Sequence, residues 1–206
     1  MFRIYLATTN PVKIKSAKHR FETFSFDIQP VDLELDERQT NDSEIIASQK
    51  VDDAYRQLQQ PVMVIDATLY IEALNGFPGA CTEYIFETIG VEGILQIMRK
   101  HKKRQAQLVR VLAFQDGTMQ QAKIFTDVVK GKITTKARGN NYFYDWSDAI
   151  RIFIPDGWDK TPGEMSDDEQ LEFRRQNRAY DADFANWHRP YFEAIHGKRS
   201  ATLLTI

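Results

Sequence analysis

With 206 residues and 42% hydrophobic side chains, the chain is long enough to bury a sizeable core, as one large domain or two small lobes. Lysine and arginine number 27 against 29 aspartates and glutamates, a formal charge of −2, which excludes bulk electrostatic binding of nucleic acid but leaves room for a local basic pocket. One cysteine, Cys81, excludes an internal disulfide and a cysteine-built zinc site. No apolar run reaches the roughly 18–20 residues of a membrane helix, and the opening stretch lacks a signal-peptide pattern. The expectation is a soluble, cytoplasmic protein without nucleic-acid or membrane partners.

Residues 2–7, FRIYLA, read as a first buried strand. TTNPVKIKSAKHRFETF follows, with Val12, Ile14, Ala17 and Phe21 on one helical face and Pro11 in the first turn. FDIQPVDLEL reads as a second strand, and NDSEIIASQKVDDAYRQLQQ as a helix capped by Asn41, Asp42 or Ser43. The apolar run 62–65 predicts a strand carrying Asp66 at its tip, with another strand over 69–74 and a turn at Asn75–Gly79. Two helices broken near Gly90 come next, then a long hairpin turning at Asp116-Gly117. A strand in DAIRIFIPDG precedes a polar helix that starts at Ser166, with Asp167, Asp168 and Glu169 in its first turn. This order predicts an α/β protein with a mixed, elongated central sheet and flanking helices, forming two lobes around a cleft. The tail from about residue 180, with Trp187, Tyr191 and Phe192, either packs on the core or covers a dimer surface.

Five stretches hold chemistry-bearing residues. In ATTNPVK, at a strand end leading into a helix, Thr8 and Asn10 can donate to a phosphate and Lys13 adds a positive charge; a plain helix cap uses the same residues. On the next helix Glu44 and Lys50 suit a metal–phosphate site or an ordinary solvated face. Asp66 suits Mg²⁺ or a turn cap, and sites in open α/β sheets gather at strand C-terminal ends. In KARGNNYFYDWSDA, the aromatics Phe143 and Trp146 can stack on a base and Asp148 can accept from its ring N–H groups, or the loop can plug the core. Arg174 and Arg178, four apart, suit a phosphate or a base carbonyl, or a solvated helix face.

Taken in order, these pieces resemble the inosine triphosphate pyrophosphatase family, enzymes that hydrolyse noncanonical purine nucleoside triphosphates. The resemblance is carried by ATTNPVKI, ASQK, IDATLYIEALNGFPG, ARG at 137–139, and FIPDG with EM at 164–165. It covers about residue 3 to about residue 180. It implies cleavage of a nucleoside triphosphate to monophosphate and pyrophosphate with Mg²⁺, in a homodimer. By position, Thr8, Asn10 and Lys13 would grip the triphosphate, Asp66 would be the catalytic carboxylate and a metal ligand, and Phe143 would stack on the base. Lys50, Trp146, Asp148, Arg174 and Arg178 complete the expected substrate contacts, with Glu44 as a second metal ligand.

The chain also departs from the family pattern. Ile65 stands where the family has a second acid, and Glu83 where a basic residue is usual. The family's metal-binding helix glutamate falls on Ile45, one residue from Glu44. Gln170-Leu171 and Arg174-Arg175-Gln176 replace the last helix's Lys-Asn and Ser-His-Arg signature. These replacements predict an altered base pocket; a catalytically degenerate relative that binds a nucleotide or a protein is the alternative.

Overall fold

The computed structural model describes residues 2–36, 40–141, 147–176 and 180–196. Its strands are β1 (Phe2–Ala7), β2 (Phe26–Val31), β3 (Val62–Ile71), β4 (Pro78–Gly79), β5 (Gln105–Gln115), β6 (Lys123–Ile133) and β7 (Phe153–Pro155). They form one sheet ordered β2-β1-β3-β5-β6-β7, with β4 added to β3. The first three pairings made by β1 and β3 are of both kinds: β1 is parallel to β2 and β3, and β3 is antiparallel to β5. The sheet is therefore mixed, as expected. The helices are α1 (Pro11–Phe21), α2 (Ser43–Leu58), α3 (Thr82–Thr88), α4 (Gly90–Met98), α5 (Asp167–Gln176) and α6 (Tyr180–His196). Among the described residues no helix is long and apolar enough to cross a membrane.

Local chemistry sets the helix starts. The Asn10 side chain accepts from Val12 N and Lys13 N, with Pro11 in the first turn, so α1 begins at the end of β1. Asp42 caps α2 by accepting from Glu44 N and Ile45 N. The other end of α2 closes with Gln59 in the left-handed region. The buried stripe Ala47, Val51 and Ala54 packs on one sheet face against Val62, Val64, Val109, Val111 and Ala113.

Two expectations change. The two strands predicted over 62–66 and 69–74 are one, because β5 pairs with β3 without interruption from Val62↔Gln115 to Ile71↔Ala106. Asp66 consequently sits in mid-strand opposite Val111, and not at a strand tip. The described part of the tail, α6, packs on the core. Tyr180, Phe184 and Ala185 of α6 are buried with Ile4, Phe21, Phe26, Met63 and Phe114. Aromatic rings meet edge-on there, Phe125 against Phe184 at 5.7 Å among them.

Burial pushes the Tyr180 phenol up from 10.0 to about 12. The folded state keeps this proton where the unfolded chain, near 10, releases it. Stability from this group is therefore complete below about pH 10 and is lost as pH rises towards 12. Urea unfolding at intervals from pH 8 to 12 is expected to show that decline in the wild type and a shallower one in Tyr180→Phe.

The motif around Arg138 is a structural lock. Gly139 has φ +71°, and a Cβ there would lie 2.0 Å from the Gly163 carbonyl carbon. The close approach lets Asn140 N and Asn141 N both donate to Gly163 O, at 2.9 and 3.0 Å. Thr161 Oγ1 donates to Arg138 O, and the Glu164 carboxylate accepts from Thr161 N. Gly139→Ala is expected to cost about 3 kcal/mol, from left-handed strain plus overpacking, read as a lower urea midpoint with unchanged slope.

Candidate active site

The site begins with a gap in the sheet. Parallel pairing of β1 with β3 stops at Leu6↔Met63, and β4 joins the same side of β3 only at Leu69↔Gly79. Between them, no strand among the described residues pairs with that edge of residues 64–68. Asp66 lies on this open edge, on the strand face that Val62 and Val64 turn toward α2. Its Oδ1 accepts from Ala67 N at 2.9 Å.

The far rim of the gap is the turn after Asn75. It contains the cis bond Phe77–Pro78. Gly79, at φ +56°, lies against Asn41, whose Oδ1 would be 1.9 Å from a Cβ at this position. Asn41 Oδ1 accepts from Ala80 N, and Tyr70 Oη donates to Asn41 O, so the loop before α2 clamps the turn. Thr82 Oγ1 donates to Gly79 O and accepts from Leu69 N, fixing the start of α3 against β3.

Four side chains converge on the opening. Lys13 Nζ, from the first turn of α1, is 3.7 Å from Asp66 Oδ1, and Lys50 Nζ, from α2, is 3.7 Å from Asp66 Oδ2. Lys13 also contacts Glu83 Oε2 at 2.9 Å. Because Asn10 spends its oxygen on the helix cap, its Nδ2 is left to donate outward to Glu83 Oε1 at 3.3 Å. Burial by itself would raise the Glu83 carboxyl, but the charge and hydrogen bond of Lys13, then Asn10, outweigh it and hold the group below the ordinary glutamate range.

Two cavities meet at Asp66, Ala67, Glu83 and Glu87. One, about 490 Å³, is also lined by Asn10, Lys13, Phe86 and Asp148, and falls within the roughly 300–1,000 Å³ of small-molecule pockets. The other extends past Lys50 to Asn41 and Tyr84. Of the residues expected from sequence, the fold thus gathers Asn10, Lys13, Lys50, Asp66 and Asp148. Thr8 stands just behind them, its Oγ1 accepting from Asn10 N at 3.2 Å, so that it shapes the turn.

Glu44 is not brought to Asp66. It accepts from Thr126 Oγ1 on β6 at 2.7 Å and lines neither cavity. Six residues along a helix place it about 120° around the axis from Lys50, which faces Asp66. Ile45, its neighbour, is exposed. Arg174 is also absent from both cavity walls; its guanidinium donates to Asp181 and ties α5 to α6. Phe143, Trp146 and Arg178 lie outside the described residues. Glu83 and Glu87 were not expected as site residues. Their i, i+4 spacing right after the Pro-Gly turn was the available signal, since it puts both on one face of α3.

The donor set suits a hard cation. Asp66, Glu87 and Asp148 offer carboxylate oxygens to one cavity, while those of Glu83 are taken by Lys13 and Asn10. Among the described residues no group of three or more His, Cys, Asp or Glu is arranged to hold a metal by itself. Mg²⁺ commonly takes one or two protein carboxylates and is completed by substrate phosphates and water. Asp66 stands at the junction of the two cavities, where its carboxylate could take such an ion.

Comparison with solved structures matches the fold to the Ham1 protein of Staphylococcus aureus, with a TM-score of 0.71 and 24% identity over 93% of this chain and 98% of that one. A HAM1 protein of Coxiella burnetii matches with a TM-score of 0.73 and 20% identity over 90% and 98%. Among curated relatives, the dITP/XTP pyrophosphatase of Thermococcus kodakarensis is 34% identical over 186 residues, 90% of this chain and 96% of that one. That of Hyperthermus butylicus is 35% identical over 189 residues, 91% and 95%. The model of the Ham1 family matches residues 4–185, and with that span and those identities the chain belongs to the Ham1 family.

Proposed function

We propose that the chain is an Mg²⁺-dependent nucleoside triphosphate pyrophosphohydrolase that takes noncanonical purine nucleoside triphosphates, dITP and XTP among them, to monophosphate and pyrophosphate. The observation that carries this is the Asp66 carboxylate on an open strand edge, bracketed at 3.7 Å by Lys13 and Lys50 and facing a nucleotide-sized cavity. The names of the relatives supply the substrate class. A homodimer in the cytoplasm belongs to the same reading and rests on the family resemblance; the charge of −2 supports the absence of a nucleic-acid partner.

In this reading Asn10 and Lys13, at the start of α1, bind phosphate oxygens, helped by the positive end of the helix dipole. Asp66 orients the attacking water and accepts its proton as the oxygen bonds to the α-phosphorus. The bond from that phosphorus to the bridging oxygen breaks, and pyrophosphate leaves. Lys13 and Lys50 oppose the negative charge that builds on the leaving oxygens. When bound, Mg²⁺ supplies neutralisation of the polyphosphate charge. Asp148, in the wall of the same cavity, can accept from a purine ring N–H.

The test is pyrophosphate release from dITP, XTP, ITP and the four ordinary deoxynucleoside triphosphates, each with Mg²⁺ and with EDTA. Mg²⁺-dependent release, fastest from the deaminated purines, is expected. Absence of release from every substrate by folded protein would overturn the reading.

A further inference from the structure

Asn10 and Lys13 are the polar groups that the mechanism assigns to phosphate, and a carboxylate of the chain itself already sits on both. Glu83 Oε2 is 2.9 Å from Lys13 Nζ, and Glu83 Oε1 accepts from Asn10 Nδ2 at 3.3 Å. A carboxylate oxygen and a phosphate oxygen make the same demand on these donors. We propose that Glu83 is a built-in competitor for the phosphate seat: a nucleotide must displace its carboxylate from Asn10 and Lys13, so Glu83 sets how tightly polyphosphate is held. This rests on the reading that the cavity at Asp66 takes a nucleoside triphosphate.

The two partners differ in freedom. The Lys13 side chain is 12% exposed and held between Asp66 and Glu83, whereas the Glu83 side chain is 52% exposed on the first turn of α3. Glu83 can therefore swing towards solvent without unpacking the core, and it is the group that moves. Displacement does not remove its charge from the neighbourhood. Glu87, one turn further along α3, and Asp66 and Asp148 across the cavity, are carboxylates too, so the vacated seat is still flanked by negative groups. A ligand with several phosphates must outcompete this arrangement; a single weak anion is refused. Glu83 thus acts against substrate binding and needs no contact with the reacting atoms, which separates its expected kinetic signature from that of Asp66.

The test is calorimetric titration of inorganic pyrophosphate, with EDTA present, into wild type, Glu83→Gln, Glu83→Ala, Lys13→Met and the Glu83→Gln/Lys13→Met double variant. Both Glu83 variants are expected to bind at least about tenfold more tightly than wild type, the scale of one charge-assisted hydrogen bond. With Lys13 replaced, the Glu83 change is expected to alter affinity clearly less than it does with Lys13 present, because the charged partner is gone and only Asn10 is still competed for. In steady-state assays with dITP, KM falls in Glu83→Gln while kcat holds. Unchanged or weaker binding by both Glu83 variants, an equal gain without Lys13, or no binding by any of the five proteins would overturn the proposal. Since pyrophosphate binding is read without turnover, tighter binding together with no hydrolysis of dITP would sink the hydrolase reading and leave the role of Glu83 standing.

Discussion

Asp66→Asn is expected to lower kcat for pyrophosphate release from dITP by at least about 100-fold, the lower end of what a positioned general base contributes. The substitution keeps shape and volume. An amide oxygen at residue 66 can still accept from Ala67 N, as Asp66 Oδ1 does now. What disappears is the negative charge between Lys13 and Lys50 and the ability to accept a proton from water. Stability should hardly change. The carboxylate is 22% exposed and its two lysine contacts are both at 3.7 Å, too long for strong hydrogen bonds. A thermal midpoint within about 2 °C of wild type, with activity lost, would separate chemistry from folding. Retained activity would remove Asp66 from the mechanism.

The largest stability effect is expected far from the site. Arg110 and Asp127 face each other across β5 and β6 and form a two-pronged pair, Nε to Oδ1 at 2.8 Å and Nη2 to Oδ2 at 2.7 Å. Their side chains are 1% and 10% exposed. Both charges have left water, so their attraction roughly offsets desolvation while the pair is intact. Asp127→Ala leaves the guanidinium buried without its carboxylate, and is expected to cost about 3–5 kcal/mol. Replacing both, as Arg110→Met with Asp127→Val, is expected to recover most of that loss, because no buried charge is then left behind. Urea unfolding of the three proteins checks it; equal stability of Asp127→Ala and wild type would contradict it.

Much of the scaffold is legible in the sequence because its signals are local. The Asn10 and Asp42 caps, the apolar strand at 2–7 and the stripe along α2 each declare themselves within a few residues. What was hidden depends on partners distant in the chain. The apolar run 62–65 ends at Asp66, which reads as a strand end, yet the ladder to β5 carries the strand on to Ile71. The feature that makes Asp66 accessible is the early end of β1, and no pattern in residues 62–66 reports where a neighbouring strand stops. The surroundings of Glu44 were hidden for a geometric reason: near Lys50 in sequence, it is turned towards Thr126 by the helical repeat. Arg174 has the composition of a phosphate contact, but its partner, Asp181, lies on a helix that the polar, proline-containing tail did not announce. Glu83 was visible as a departure from the family pattern. Its contact with Asn10 and Lys13 emerges only when α3 folds back across the gap.

The central claim is that nucleotide phosphates bind at the open edge of β3, beside Asp66. The most direct measurement is a crystal structure of the Asp66→Asn variant with dITP and Mg²⁺. The account predicts phosphates on Asn10 and Lys13, the α-phosphorus next to residue 66, the purine in the cavity bounded by Phe86 and Asp148, and the Glu83 carboxylate moved off Lys13. Nucleotide bound elsewhere on the molecule, with Glu83 still on Lys13 and Asn10, would contradict it.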